Sequence, residues 1–138
     1  MSTTYVLETG TAVVRATAAE TGGAYSIVEY TAQPGHARSR HLHRNMVEAF
    51  LVLEGEGTFE VGDRLLTAGP GEFIAVARGV PPNVFNRTDA VARWLEIYSP
   101  AGFEAYLIEI AEAAAANGGS VPAEVRAAIV ARHDIERV

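Results

Sequence analysis

Residues 35–55 of the chain read GHARSRHLHRNMVEAFLVLEG, and the spacing of the histidines and the first carboxylate in this stretch decides the fold. His41 and His43 stand two positions apart, so on a β-strand both rings leave the same face. Glu48 lies five positions beyond His43, which is the wrong parity for one unbroken strand. A tight turn at residues 44–46 would bring Glu48 beside both histidines on the next strand. The stretch therefore predicts a strand–turn–strand unit that gathers two imidazoles and a carboxylate.

These three side chains are the candidate metal ligands. Two imidazoles and one carboxylate on rigid strands form a ligand set for a divalent first-row metal. Open coordination positions suit Fe(II), and Mn, Ni, Cu and Zn also fit such a set. Glu48 is also the candidate catalytic residue, since a carboxylate that loosens from the metal can act as a base. The alternative is a pocket without metal, in which His41 and His43 are hydrogen-bonded remnants of a lost site.

Short β-branched and aromatic runs, separated by Gly, Pro, Asn and Asp, fill the chain from residue 6 to residue 98. Many short strands at this spacing are typical of a β-sandwich or a β-barrel. The predicted strands cover residues 13–15, 24–32, 48–54, 58–61, 65–66, 73–76, 83–86 and 91–98.

The pattern changes after Ser99-Pro100. Residues 103–116 read FEAYLIEIAEAAAA, with apolar side chains at helical spacing, and the Asn-Gly-Gly that follows would end that helix. A second helix is predicted from about residue 122 to residue 132, with Ser120 as its N-cap. We therefore divide the chain into a β-domain at residues 1–100 and a helical extension at residues 101–138 that packs on the same domain.

Charge and composition narrow the class of partner. The formal net charge is −6, which argues against nucleic acid because phosphate binding requires a basic surface. All 11 basic residues are arginine, so no lysine is available for a Schiff base. No apolar run approaches a membrane span. The absence of cysteine and of a signal-peptide pattern makes the cytoplasm the expected location. A small organic molecule remains as the expected partner.

Three arginines surround the histidine pair in the sequence. Arg38, Arg40 and Arg44 are interpreted as a solvated rim of the site. The alternative is that their positive charge draws an acidic substrate to the mouth of the pocket.

The histidine stretch resembles the first motif of the cupin family, a Gly, a His-x-His pair, a Glu and a second Gly at fixed spacing. The residues that occupy its fixed positions are Gly35, His41, His43, Glu48 and Gly55. The resemblance covers about residues 24–100 and implies a mainly β fold. That fold is the double-stranded β-helix, the jelly-roll barrel of cupins, here with a short C-terminal α-helical extension. The end of the chain is similar to small bacterial cupins grouped loosely with quercetin dioxygenases.

The second cupin motif is incomplete in this chain. Gly71, Gly79 and Asn86 stand at its expected positions, but Ala77 replaces a Pro. Pro82 replaces the His that is usually the fourth metal ligand of cupins, and its side chain cannot coordinate a metal. The resemblance thus implies a site with three of four protein ligands, and three are sufficient for a catalytic metal.

Two other residues are weighed as additional ligands. His36 lies on the opposite strand face from His41 and roughly 17 Å away if the chain is extended, which makes it a poor candidate. Glu96 alternates with Trp94 and Tyr98 on the last strand of the β-domain. If that face points inward, Glu96 could approach the metal or act as an acid or base.

The inward face of the barrel is the candidate substrate pocket, because Phe50 and Val52 share parity with Glu48. Aromatic side chains there could stack on an aromatic ligand, with ordinary core packing as the alternative. The opposite face of the same strand is also apolar and must be covered by the N-terminal arm, the tail helices or a second subunit, and we expect a homodimer. The candidate pocket residues are Phe50, Val52, Phe73, Phe85, Trp94, Glu96 and Tyr98.

Three functions are compatible with this pattern. The first is a metal-dependent enzyme, of the oxygenase type, that acts on a small organic molecule at the His41, His43 and Glu48 site. The second is a non-catalytic module that binds a small molecule after losing the full metal site, as Pro82 would indicate. The third is a cyclase or isomerase that uses Glu48 without metal. Fold alone does not choose among them.

Overall fold

The computed structural model describes residues 3–38 and 41–138, and within them the chain forms eleven strands and three helices. The strands are β1 Thr4–Leu7, β2 Gly10–Ala16, β3 Ser26–Ala32, β4 His41–Leu42, β5 Val47–Glu54, β6 Gly57–Val61, β7 Arg64–Ala68, β8 Phe73–Val76, β9 Pro82–Phe85, β10 Ala92–Ser99 and β11 Glu136–Arg137. The helices are α1 Ala18–Thr21, α2 Phe103–Ala116 and α3 Ala123–Val130. Every predicted strand is present, with ends that differ by a few residues.

Two antiparallel sheets build the barrel. A six-stranded sheet has the order β1-β2-β3-β10-β5-β8, and a three-stranded sheet has the order β7-β6-β9. Their inner faces meet in one core, where the Phe59 ring of the small sheet lies 5.0 Å from Phe50 and 5.8 Å from Trp94 of the large sheet, measured between ring centroids. The prediction of a mainly β, jelly-roll barrel is confirmed.

Strict alternation of buried and half-buried residues sets the inner face. Along β5, Glu48, Phe50 and Val52 are buried, and the residues between them are only partly covered. β10 pairs with β5, and its inward residues Trp94 and Tyr98 are fully buried. The prediction that Phe50 and Val52 share the inward face with Glu48 is therefore confirmed. Every second side chain of a strand lies on the same face, and on a half-covered strand that face is the one turned to the core.

The C-terminal helices pack against the barrel and against each other. α2 spans the predicted residues, and its Phe103 and Leu107 belong to the barrel core. A second apolar cluster joins α2 to α3 through Ile110, Val121 and Ile129. No helix in the described part of the chain is long and apolar enough to cross a membrane.

Three details differ from the predicted elements. α3 has Pro122 as its N-cap instead of Ser120, because the intervening Val121 is buried in the helix cluster and the chain there is extended. α1 forms in a segment for which no helix was predicted, stabilised by a capping box between Thr17 and Glu20. Strand β1 and the two-residue strands β4 and β11 were not predicted, and β4 pairs with β11. That pairing brings the end of the chain beside the histidines.

Candidate functional site

A bend after β4 brings the predicted ligand group together. His41 lies on β4, His43 follows that strand directly, and Glu48 lies on β5 beyond the bend. One ligand atom from each of the three side chains lies within 4.8 Å of the other two. His43 Nε2 is 3.3 Å from Glu48 Oε1, and the rings of His41 and His43 meet edge to face with centroids 4.9 Å apart. The bend between the two strands thus places Glu48 beside the two histidines, as predicted.

The group is buried and electrostatically paired. The side chains of His43 and Glu48 are 2% and 1% exposed. Burial opposes protonation of His43, but the hydrogen bond and negative charge of Glu48 outweigh it and hold the pKa of His43 above its usual value. Burial would raise the pKa of Glu48, but the hydrogen bond from His43 and the charges of His43, His41 and Arg38 hold it lower. Each of the two side chains thus favours the charged form of the other.

The same atoms fit a divalent cation. His43 Nε2 and Glu48 Oε1 are fully buried, and apart from each other they have no hydrogen-bond partner among the described residues. A divalent cation held by these residues would satisfy both atoms, as buried polar groups require. Two imidazole nitrogens and one carboxylate are donors that first-row divalent metals accept.

Pro82, at the position of the fourth ligand, is a buried residue of β9. β9 lies at an edge of the three-stranded sheet and forms its strand ladder with β6 alone. An edge strand tolerates a residue without a backbone N–H, which is where proline is found in sheets. The barrel therefore accommodates this departure from the second cupin motif without a break in its ladder.

Glu96 is the centre of a separate buried network. Its carboxylate is fully buried and accepts hydrogen bonds from Arg38 Nη2 at 2.8 Å, Trp94 Nε1 at 2.9 Å and Tyr98 Oη at 2.8 Å. The guanidinium of Arg38 also lies 4.7 Å from the centroid of the Tyr30 ring. Glu96 faces inward as expected, but three donors satisfy it and it is not part of the group that could hold a metal.

The arginines near the histidines have different environments. The side chain of Arg38 is only 16% exposed and pairs with Glu96, so the prediction of a solvated rim is wrong for this residue. Arg44 is 64% exposed and pairs with Glu136 at the surface. Arg40 lies outside the described residues.

His36 is buried and lies apart from the ligand group. It is 2% exposed, and its Nδ1 is hydrogen-bonded to Thr9 Oγ1 at 2.5 Å. Its ring lies 4.9 Å from Tyr30 and 6.0 Å from Trp94, measured between centroids. Burial first, and then the charge of Arg38, lower the pKa of His36 to about 3. His36 is therefore neutral at physiological pH, and it is not part of the His41, His43 and Glu48 group.

A cavity of about 800 Å³ lies between the barrel and the C-terminal helices. Most of its polar wall comes from the barrel and includes Thr9, His36, Arg38 and His41, and Arg126 of α3 and Glu136 of β11 also line it. Its apolar wall comes mainly from α2, α3 and the segments beside them, and includes Leu107, Ile110, Val121 and Val130. His41 thus belongs both to the metal-ligand group and to the cavity wall.

The position of this cavity differs from the predicted pocket. Of the predicted pocket residues, all of which the structure describes, none lines it. Phe50, Val52, Trp94 and Tyr98 are at most 1% exposed and pack in the barrel core. Glu96 is held in its network with Arg38, as described above.

The other two predicted pocket residues lie away from the barrel interior. Phe73 is 57% exposed on the outer face of the large sheet, where it pairs with Leu51. Phe85 is half-buried at the edge strand β9, with the Arg87 guanidinium 4.6 Å from its ring centroid.

Sequence reasoning also missed Asp134, a residue of the tail. Its backbone carbonyl accepts a hydrogen bond from His43 Nδ1 at 2.6 Å. Its carboxylate accepts from the backbone N–H groups of Arg44 at 3.0 Å, Asn45 at 2.9 Å and Met46 at 3.1 Å. These contacts join positions about ninety residues apart in the chain, and no local pattern in the sequence indicates them.

Comparisons with known proteins agree with this fold. The model of the cupin domain matches residues 28–98. No curated protein sequence matches the chain. The structure is similar to TT1209 from Thermus thermophilus, with 27% identity, a TM-score of 0.55, and coverage of 56% of this chain and 74% of that one.

Two similar structures carry the names of enzymes. Oxalate decarboxylase from Lactobacillus farciminis, solved as a formate complex, is 17% identical with a TM-score of 0.64, over 72% of this chain and 31% of that one. Ectoine synthase from P. lautus is 21% identical with a TM-score of 0.58, over 69% of this chain and 67% of that one. At these identities the likeness shows the fold alone. With a domain match over half of its length and a double-stranded β-helix around a His-His-Glu group, this chain belongs to the cupin family.

Proposed function

We propose that this cupin is a divalent-metal-dependent enzyme that acts on a small organic molecule bound between the barrel and the C-terminal helices. One observation carries the proposal: His41 is at once a member of the ligand group and a part of the cavity wall. A molecule in the cavity would therefore lie beside the metal. The cavity volume is within the range of pockets that hold small ligands.

His41, His43 and Glu48 would hold the metal. Bound there, a first-row metal would supply a Lewis acid that polarises an oxygen atom of the substrate or, if it is redox-active, chemistry of the oxygenase type. The chain itself would hold the ligand group in place and exclude water from it, since His43 and Glu48 are almost fully buried. Glu48 would be the acceptor for a proton released near the metal.

The walls of the cavity suggest what kind of molecule it binds. The helices offer mainly aliphatic side chains, apart from Arg126, which is paired with Glu8. The barrel offers the Arg38 guanidinium, the His36 ring and the Thr9 hydroxyl. The His36 Nε2 is buried without a hydrogen-bond partner in the described part of the chain. We infer a substrate with an apolar body and one polar end that faces His36 and Arg38.

Pro82 favours a second candidate, a non-catalytic module that binds a small molecule. The side chain at the fourth ligand position is buried and cannot coordinate, so the site has one donor fewer than the full cupin set. The His43–Glu48 pair at 3.3 Å also leaves open a cyclase or isomerase that uses Glu48 without metal. The names of the similar structures do not choose among these, because one fold hosts many reactions.

We also propose a homodimer that covers the outer face of the large sheet. On that face Leu51 is directly paired with Phe73 on one side and Leu95 on the other. Leu51 and Leu95 are half-buried and Phe73 is 57% exposed, so the row is an apolar surface. Mass measurement in solution tests this, because a monomer at micromolar concentration would contradict it.

Elemental analysis tests the proposed function. Untagged protein purified without chelator, and also after reconstitution with Fe(II), would be compared with the His41→Ala/His43→Ala variant. We expect about one equivalent of a first-row metal per chain in the wild type and none in the variant. Wild-type protein that holds no metal after reconstitution would contradict the proposal. Activity that survives chelation but is lost in Glu48→Gln would point to metal-free catalysis.

A further inference from the structure

We propose that Asp134 is a positioning residue for the metal site and acts through His43 and the bend that leads to Glu48. The inference rests on the proposed function, because it concerns how the His-His-Glu group is held ready for a metal. It goes beyond that function by assigning part of the site to the C-terminal tail, outside both cupin motifs. Asp134 is not itself one of the candidate metal ligands.

The first step of the argument is the ring of His43. A carbonyl oxygen only accepts, so the 2.6 Å contact with the Asp134 carbonyl requires a hydrogen on His43 Nδ1. That contact fixes the ring orientation and leaves Nε2, the nitrogen that faces Glu48 at 3.3 Å, as the one that would bind the metal. A partner on the second nitrogen is the usual means by which proteins orient a metal-binding histidine.

The second step is the bend itself. The Asp134 carboxylate accepts three successive backbone N–H groups, those of Arg44, Asn45 and Met46. These residues connect His43 to the strand that carries Glu48. The carboxylate therefore fixes the relative position of two ligands, and the carbonyl of the same residue fixes the orientation of one of them.

The third step concerns the tail residues that follow Asp134, which hold the end of the chain against strand β4. In the β11–β4 ladder, Glu136 is the partner of Leu42 and Arg137 is the partner of His41. The carboxylate of Glu136 also binds the exposed Arg44 side chain. The tail is thus attached on both sides of His43, and Asp134 is the residue of this tail with hydrogen bonds both to a ligand and to the bend.

Cobalt(II) binding to the full-length protein tests the proposal. Co²⁺ affinity and its visible absorption spectrum would be measured for the wild type, Asp134→Ala and Asp134→Asn. We expect Asp134→Ala to bind Co²⁺ about 10–100-fold more weakly, the range seen when outer-shell partners of metal ligands are removed. Asp134→Asn keeps one acceptor oxygen for the bend and should lose less than Asp134→Ala.

Glu109→Gln is the matched control. Glu109 holds the neighbouring tail residue Arg132 by an ion pair and His133 by a hydrogen bond. Among the described residues, no hydrogen bond or ion pair joins Glu109 to the bend. This variant should loosen the tail at a comparable place and leave Co²⁺ affinity within about twofold of the wild type. A folded Asp134→Ala protein with wild-type affinity would overturn the proposal, as would an equal loss in Glu109→Gln.

A metal-free measurement separates this inference from the proposed function and does not depend on the folding of the alanine variant. Long-range ¹H–¹⁵N spectra of the wild type would report the tautomer of neutral His43, and we expect the hydrogen on Nδ1. A hydrogen on Nε2 would overturn the proposal. Wild-type protein that shows the Nδ1 tautomer but binds no Co²⁺ would leave the positioning by Asp134 intact and contradict the metal-dependent function.

Discussion

His36 allows a quantitative prediction about acid stability. The folded protein keeps this ring neutral, with a pKa near 3, whereas an unfolded chain protonates it at its ordinary value of about 6.5. Between these two values the unfolded state binds more protons, so the His36 contribution to stability is complete above about pH 6.5 and decreases as the pH falls. A pH of 5 lies about 1.5 pH units below the pKa of His36 in the unfolded chain, which corresponds to about 2 kcal/mol of lost unfolding free energy.

This magnitude does not depend on the folded pKa as long as that pKa stays well below 5, because the cost at pH 5 is set by protonation of the unfolded state. Urea unfolding near pH 7.5 and near pH 5 would be measured for the wild type and for His36→Gln. Other groups titrate in this interval in both proteins, so the difference between their losses isolates His36. The wild type should lose about 2 kcal/mol more than the variant. Equal losses would refute the reasoning, since they would mean that His36 becomes charged in the fold without cost.

Three further outcomes are expected. Arg38→Met should lower the unfolding free energy, measured by denaturant titration, by about 3 kcal/mol, because it leaves the Glu96 carboxylate buried without its cation. Adding Glu96→Gln to this variant should restore part of the loss. Phe50→Ala should cost about 3–5 kcal/mol in the same assay, whereas Leu65→Ala, on β7 and away from the proposed dimer face, should stay within about 0.5 kcal/mol, since the first residue is 1% and the second 57% exposed. Below the raised pKa of His43, Co²⁺ affinity should fall by up to about tenfold per pH unit, because the Nε2 of His43 must lose a proton to bind metal. An affinity that does not change with pH would contradict the assignment of His43 as a ligand.

Local patterns were sufficient for the barrel and for the ligand group. The alternation in β5 placed Glu48, Phe50 and Val52 on one face, because a half-covered strand allows only one inward register. The helical spacing of α2, ended by Asn117 and the glycines after it, gave the bounds of that helix. In both cases the information lies within a few neighbouring residues.

The cavity and the role of the tail were not accessible in the same way. Parity told which face Trp94 and Tyr98 occupy, but it could not tell whether that face encloses a ligand or a filled core. The cavity arises where the helices meet the barrel, and its walls come from segments remote in sequence. The pairing of β11 with β4 involves only two residues on each side, which is too short for a periodic signal.

The candidate metal ligands and most of the apolar lining of the cavity come from different parts of the chain, which bears on how substrate selectivity could change among homologues. The candidate metal ligands lie on barrel strands and the bend between them, whereas most of the aliphatic surface that would meet the ligand lies on α2, α3 and the segments beside them. Substitutions at positions such as Ile110 or Val130 would change the size and shape of the accepted molecule while every metal donor stayed in place. Selectivity and reactivity could then drift independently, and homologues with the same donor residues could differ in substrate by their helices alone.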